Sequence, residues 1–159
     1  MSCKLLLIPA GIVVLGLVNA PTAYASPPGS RCALLTPAQI EKVLGQPFGA
    51  AKETELAQPF GNQPGSHCSY RAQRGGNMAA TVDFFVYVTA SPAEAKQWFE
   101  MGASVTKAKS KPPVGDAAYI DIADGEIHVL KGKVLYWIAI NPGNEKQETD
   151  LAASVAAGI

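Results

Sequence analysis

The alternation of apolar and polar positions along the chain is clearest between Ala79 and Thr89, and it predicts a β-strand there. Side chains on one side of a strand recur every second residue, so this strand would have one apolar side and one mixed side. The apolar side would carry Val82, Phe84, Val86 and Val88, and the mixed side Thr81, Asp83, Phe85 and Tyr87.

Similar runs bounded by turn residues predict further strands. Asp124–Gly125 is typical of a hairpin turn, and Gly132 marks a second turn. The loop over residues 46–65 is rich in Pro and Gly, with room for a short strand near Lys52–Leu56. The main further strands are expected at Ser66–Arg71, Ala117–Ile122, Glu126–Lys131 and Lys133–Ile140.

Helical periodicity and capping residues predict three helices. The first begins after Thr36, with Pro37 at the first helical position and Gln39 completing a capping box, and Gly45 should end it. A second helix is predicted from the cap Ser91 to a stop at Gly102, and a third over Glu145–Ala157.

The resulting order of elements is α-β-β-α-β-β-β-α. Strands joined by tight turns, without crossover helices, favour an antiparallel sheet. We therefore predict an α+β fold with about five antiparallel strands, three helices and one disulfide, in a single domain over residues 26–159.

The N-terminus has the pattern of a secretory signal peptide. Lys4 precedes an apolar run over Leu5–Val18, and the small-residue end Ala23-Tyr24-Ala25 predicts cleavage after Ala25. The run is interrupted and short for a spanning helix, which disfavours an uncleaved anchor. No cysteine follows the run directly, so we expect no lipid attachment and a secreted or periplasmic product without a stable membrane anchor.

Export would leave Cys32 and Cys68 in an oxidising compartment, where we predict that they form a disulfide. A redox or catalytic pair is the alternative, but these cysteines lack C-x-x-C spacing. Removing Lys4 with the signal peptide leaves 12 Lys and Arg against 13 Asp and Glu, a formal charge of −1. This balance does not favour binding to nucleic acid or to an anionic membrane.

Four motifs occur in an order that resembles a family of small secreted or lipid-anchored domains of unknown function, familiar from actinobacterial lipoproteins. The resemblance implies a compact α+β domain with both motif cysteines bonded, and it attaches no enzymatic activity. The chain departs from the lipid-anchored members because it lacks their anchoring cysteine. The motifs are Cys32-Ala-Leu-Leu-Thr36 continuing to Gly45, Cys68-Ser-Tyr70, Val114-Gly-Asp-Ala-Ala-Tyr119 and Val129-Leu-Lys-Gly132.

The sequence contains no recognisable catalytic or cofactor motif, and we predict no catalytic residues, no metal site and no cofactor. His67 and His128 are the only histidines, and they lack the spacing of a zinc site. No serine lies in a G-x-S-x-G or S-x-x-K context, and no phosphate-binding glycine loop is present.

A candidate binding face lies on the mixed side of the strand at 79–89. Aromatic residues with a few polar groups are typical of partner or ligand sites, although a covering helix or loop would also explain them. If the later strands are in register, the face would combine Asp83, Phe85, Tyr87, Tyr119, His128 and Trp137.

Three functions are compatible with these features. The first is a non-catalytic extracytoplasmic binding or protein-interaction module that uses this face. The second is a carrier of a small apolar ligand, with a pocket lined by Phe84, Trp98, Phe99 and Tyr136. The third is an enzyme with Asp83 and His128 as its acid–base pair, which requires the two side chains to lie within about 3 Å or to share one water.

Overall fold

A computed structural model describes residues 29–56, 64–106, 110–121 and 124–159 of the chain. The predicted signal peptide at residues 1–25 lies outside these residues. The described helices are α1 (Pro37–Leu44), α2 (Pro92–Val105) and α3 (Glu145–Ala156). The strands are β1 (Lys52–Leu56), β2 (Gly65–Arg71), β3 (Thr81–Val88), β4 (Ala117–Asp121), β5 (Glu126–Lys131) and β6 (Val134–Asn141).

The six strands form one antiparallel sheet in the order β1-β2-β3-β6-β5-β4. The α+β fold is therefore confirmed. The short strand predicted at Lys52–Leu56 is present as β1, and it adds a sixth strand to the sheet. The strands β1 and β4 lie at the two edges of the sheet, where β1 exposes Lys52, Glu53 and Glu55. The segment next to β4 pairs with it, because Ser110 accepts a backbone hydrogen bond from Ile120 at 3.1 Å.

The helix caps form where the sequence places them. Thr36 and Gln39 make a reciprocal capping box at the start of α1, and Gly45 ends that helix in the left-handed conformation with φ +70°. Ser91 caps α2 by accepting a hydrogen bond from the Glu94 backbone N–H at 3.2 Å. The capping pattern therefore fixes the direction in which each chain segment enters its helix.

One face of the sheet, which we call the first face, packs against α1 and α3 and contains the main core. The Tyr136 hydroxyl donates a hydrogen bond to the Ala152 carbonyl at 2.7 Å, which joins β6 to α3. The side chains of Val82, Phe84 and Val86 on β3 are fully buried there. This face is the side of β3 that the sequence identified as uniformly apolar.

The predicted disulfide between Cys32 and Cys68 is confirmed, with a Cα–Cα distance of 5.7 Å. It joins the turn before α1 to the first face of β2, and both cysteines are fully buried. The Tyr70 hydroxyl donates hydrogen bonds to the carbonyls of Cys32 and Leu35 beside it. The N-terminal turn is thus fixed to the sheet by covalent and polar contacts.

The helix α2 packs on the opposite face of the sheet, which we call the second face. The sequence predicted that Gly102 would end this helix, and that prediction was wrong. The helix continues to Val105, and the Gly102 carbonyl accepts a hydrogen bond from the Thr106 backbone N–H at 3.2 Å. Gly102 keeps a helical backbone, since its φ is not positive.

None of the helices within the described ranges combines the length and apolar composition that a bilayer-spanning segment needs.

Candidate functional site

Five aromatic rings form a continuous row across the second face, which we call the aromatic row. The sheet register places one ring from each of five strands directly opposite the next. The order across the sheet is His67 (β2), Phe85 (β3), Trp137 (β6), His128 (β5) and Tyr119 (β4).

Neighbouring rings in this row stack nearly parallel to each other. The ring centroids of His67 and Phe85 are 4.3 Å apart, and those of Phe85 and Trp137 are 5.1 Å apart. The distances from His128 to Trp137 and to Tyr119 are 5.4 and 4.7 Å, and no pair in the row departs from parallel by more than 20°. These spacings are close to the roughly 4.8 Å between adjacent strands. The rings therefore stand upright on the sheet, with their faces against each other and their edges outward.

The structure brings all six residues of the candidate binding face to the same side of the sheet. Tyr87 lies two positions along β3 from Phe85 and stacks on Trp137 with centroids 5.3 Å apart. Asp83 lies on the other side of the row and pairs across the sheet with Ala139. Four of the six belong to the aromatic row, and burial raises the pKa of both Tyr87 and Tyr119.

The helix α2 covers only part of this face. Phe99 on α2 contacts Tyr119 with a centroid distance of 5.2 Å and a tilted geometry. Between α2 and the sheet lies a cavity of about 200 Å³, which we call the α2 cavity. Its surface is almost entirely apolar. The side chains that line it include Trp98, Phe99, Tyr119, His128, Leu135 and Trp137.

Gly102 makes room at the roof of this cavity. A Cβ atom at Gly102 would lie 3.0 Å from the Tyr119 hydroxyl oxygen, closer than nearly all real contacts of this kind. The glycine costs helix stability of about 1 kcal/mol relative to alanine. Its place in the helix therefore allows α2 and Tyr119 to approach closely at the α2 cavity.

The imidazole of His128 has an unusual environment within the row. Its Nε2 atom is buried and has no hydrogen-bond partner among the described residues. The nearest carboxylate oxygen, Oε2 of Glu126, is 3.6 Å away, beyond hydrogen-bond distance. Burial lowers the pKa of His128, which favours the neutral imidazole.

Glu126 lies beside His128 on β5, and its carboxyl is only 20 % exposed. Burial raises the pKa of Glu126 to about 7, with smaller contributions from the negative charges of Asp124 and Asp121. The charged form of this carboxyl is therefore disfavoured in the folded protein.

Asp83 and His128, the proposed acid–base pair, share the second face but are not adjacent. The strand β6 lies between them, which separates their strands by about 10 Å. The Asp83 carboxylate instead hydrogen bonds to Nε2 of His67 at 2.7 Å. The geometry gives the expected acid–base pair no direct contact.

Of the four residues expected to line an apolar pocket, Trp98, Phe99 and Tyr136 line the α2 cavity, and Phe84 does not. Phe84 is fully buried on the first face, where its ring packs 5.8 Å from that of Tyr136. Phe84 does not reach the cavity, because alternate side chains of a strand point to opposite faces of the sheet.

Two residues of this region were not anticipated from the sequence. His67 lies on the second face because its neighbour Cys68 points into the core. The alternation of side chains along β2 could have predicted this position from the sequence. Gly102 was interpreted as a helix stop, and only the position of α2 over Tyr119 reveals its other effect.

No protein-family model, curated protein or solved structure matches this chain. Within the described ranges, no three His, Cys, Asp or Glu side chains lie close enough to hold a metal ion together.

Proposed function

We propose that this chain is a non-catalytic, secreted or periplasmic binding module that holds a small apolar ligand beneath α2. The observation that carries the proposal is the α2 cavity, whose floor is formed by three rings of the aromatic row. The signal-peptide pattern at residues 1–25 supports export, and the resemblance to small secreted domains agrees with it.

The size of the cavity limits the ligand. A cavity of roughly 150 Å³ lined by apolar side chains in another protein stays dry and accommodates benzene. The α2 cavity, at about 200 Å³, has room for one substituted ring or a compact aliphatic molecule. Pockets for drug-sized ligands are commonly about 300–1,000 Å³, so this site would select small molecules.

The chemistry of the walls supports an apolar ligand. Trp98 and Phe99 come from α2, and Leu135 and Trp137 from β6. Moving an apolar molecule from water onto such walls is favourable by about 25 cal/mol for each Å² removed from water.

The substitution Gly102→Leu provides a direct test, because the new side chain would extend into the α2 cavity. The new Cβ would displace the Tyr119 hydroxyl, 3.0 Å away, by a few tenths of an ångström, and the helix preference of leucine over glycine, about 0.5–1 kcal/mol, would offset part of that cost. Circular dichroism of the variant checks that it is folded. The probe is toluene, and the readout is the pair of indole N–H signals in ¹H–¹⁵N spectra. The two tryptophans of the chain, Trp98 and Trp137, both line the cavity.

We expect saturable shifts of both indole signals in the wild type and their loss in Gly102→Leu. The control is Gln97→Leu, which adds the same side chain to an exposed position of α2. It should bind toluene as the wild type does. An absence of saturable binding in the wild type, or equal binding in Gly102→Leu, would contradict the proposal.

The part of the aromatic row near His67 and Phe85 favours a second candidate, docking of a partner protein. His67 and Asp83 expose 27 % and 32 % of their side chains, so polar groups are accessible beside the apolar rings. The test is capture of partners by the wild type and by His67→Ala or Trp137→Ala. Equal recovery of every partner by all three proteins would refute this candidate.

A further inference from the structure

A second cavity lies beside the α2 cavity, between α2 and the edge strand β4, and we call it the outer cavity. Its volume is about 350 Å³, and most of its surface is apolar. The small side chains of Ala103, Ser104 and Ala117 leave this space open. The outer cavity therefore extends the apolar space beneath α2 toward the edge of the sheet.

Two aromatic residues, Phe99 and Tyr119, line both cavities, and their ring contact lies between them. Tyr119 is held in place, because it stacks on His128 at 4.7 Å and its hydroxyl lies against α2 at Gly102. Phe99 is only half-buried, and a phenylalanine in a helix has two common χ1 rotamers. A change of the Phe99 rotamer would join the two cavities into one site, within the range of about 300–1,000 Å³ that larger ligands occupy.

The charged residues that line the outer cavity are Glu100 and Lys111. Glu100 already pairs with Lys96, whose ammonium is 3.7 Å from Oε1 of Glu100. Lys111 forms no ion pair with any carboxylate of the described residues. Its ammonium is therefore available to an anionic group at the outer end of an otherwise apolar space.

Building on the proposed function, we infer that the ligand is an unbranched aliphatic monocarboxylate, whose chain passes Phe99 into the α2 cavity and whose carboxylate contacts Lys111. Each methylene group that leaves water for the apolar walls favours binding. Among the described residues, no Asp, Glu, Lys or Arg lines the α2 cavity, so the carboxylate should stay at the outer end. The α2 cavity then limits only the part of the ligand that it encloses.

Octanoate is the probe, and butyrate shows whether the chain must reach the α2 cavity. The readout is again the pair of indole N–H signals, because Trp98 and Trp137 line the α2 cavity but not the outer cavity. Octanoate should shift both signals saturably in the wild type. Butyrate should shift neither, since its chain is too short to pass Phe99 while its carboxylate contacts Lys111.

Ala103→Leu tests the outer cavity, because the new side chain would occupy part of it and leucine is a good helix former. The Kd of octanoate should rise about tenfold or more, since its methylene groups lose their apolar surroundings. The Kd of toluene should change by less than about twofold, because Ala103 does not line the α2 cavity. Gln97→Leu is the matched control and should bind both molecules as the wild type does.

Lys111→Met tests the carboxylate contact, because methionine keeps an unbranched side chain without the charge. The Kd of octanoate should rise about two- to fivefold, which is typical of an exposed ion pair, and the Kd of the uncharged octanol should stay unchanged. The control is Lys52→Met, which removes an exposed ammonium from β1 at the opposite edge of the sheet. It should leave both affinities at wild-type values.

The outcomes separate this inference from the proposed function. If toluene binds and Gly102→Leu blocks it, but octanoate does not shift the indole signals or binds Ala103→Leu as tightly as the wild type, the inference is wrong and the apolar site stands. Equal changes for octanoate and octanol in Lys111→Met would overturn the choice of a carboxylate. If neither toluene nor octanoate binds the wild type, the proposed function fails as well.

Discussion

The two faces of the sheet are built from neighbouring residues of the same strands, yet they are packed in different ways. On the first face, Phe84 and its neighbours are fully buried beneath α1 and α3. On the second face, Phe85 stands in a row of stacked rings that α2 covers only in part, and a cavity lies between α2 and three of the other rings. The first face contains the large contiguous core, and the second leaves space that a ligand could fill.

The difference between the faces implies a division between stability and binding. Closely packed cores lose several kcal/mol when a large side chain is truncated, because the gap that forms cannot close fully. A face that already contains space and half-buried rings loses less from the same change. Each prediction below would sharpen this division or break it.

One of the two largest effects on stability should come from removing the disulfide of the first face with Cys32→Ala combined with Cys68→Ala. The bridge spans a sequence separation of 36 residues, and the chain-entropy model assigns such a loop about 4 kcal/mol. Urea denaturation of the two proteins measures the loss in free energy of unfolding. Toluene binding to the folded variant should persist, because neither cysteine contacts the α2 cavity. A loss below about 1 kcal/mol would contradict the prediction that the disulfide makes a large contribution to the stability of the fold.

The adjacent residues Phe84 and Phe85 allow the same truncation on each face. Phe84→Ala should lower the free energy of unfolding by about 3–5 kcal/mol, as is usual for a fully buried phenylalanine. Phe85→Ala should lose less, about 1–2 kcal/mol, mainly from its stacking on His67 and Trp137. Chemical denaturation of both variants provides the comparison. Equal losses would show that the second face is as closely packed as the first.

Glu126→Gln should stabilise the folded protein at alkaline pH, because the second face disfavours the charged form of Glu126. Because the folded-state pKa of Glu126 is raised to about 7 from 4.5, the wild type loses stability as the pH rises through this interval. The variant should be more stable than the wild type by roughly 2 kcal/mol at about pH 8, and close to it at about pH 4. Thermal unfolding across this range measures the difference.

Asp116→Asn is the control, because it should change the stability of the fold in the opposite direction. The Gly132 backbone N–H, at 2.7 Å, and the Lys131 ammonium hold the pKa of Asp116 below its usual value of 3.8. Its contribution to stability is therefore present above that pH and lost as the pH falls. The asparagine variant should be less stable than the wild type at neutral pH. A stability difference between Glu126→Gln and the wild type that does not change with pH would contradict the raised pKa of the buried Glu126 carboxyl.

The sequence predicted the first face well because its signals are local. The alternation in β3 separates Phe84 from Phe85, and the capping residues at Thr36 and Ser91 mark two helix starts. The disulfide followed from the only pairing open to the two cysteines of the predicted mature chain. None of these inferences required knowledge of how distant segments meet.

The arrangement of side chains on the second face could not be predicted from the pattern of any single strand. A strand keeps the same side chains on one face when its register shifts by two residues, so alternation alone could not align Trp137 with Phe85 and His128. The α2 cavity depends on where the helix lies over Tyr119. For this reason Gly102 was wrongly predicted to end α2, and the hydrogen bond between Asp83 and His67 was not anticipated.

The edges of the sheet have a consequence for self-association. An exposed outer strand offers unpaired backbone groups on which another chain can add, which is a common route to aggregation. Here β1 carries Lys52, Glu53 and Glu55 at one edge, while the Ser110 segment occupies backbone groups of β4 at the other. A second copy extending the sheet at β1 would have to accommodate those charges. The protein can thus keep an aromatic face without becoming a template for its own polymerisation.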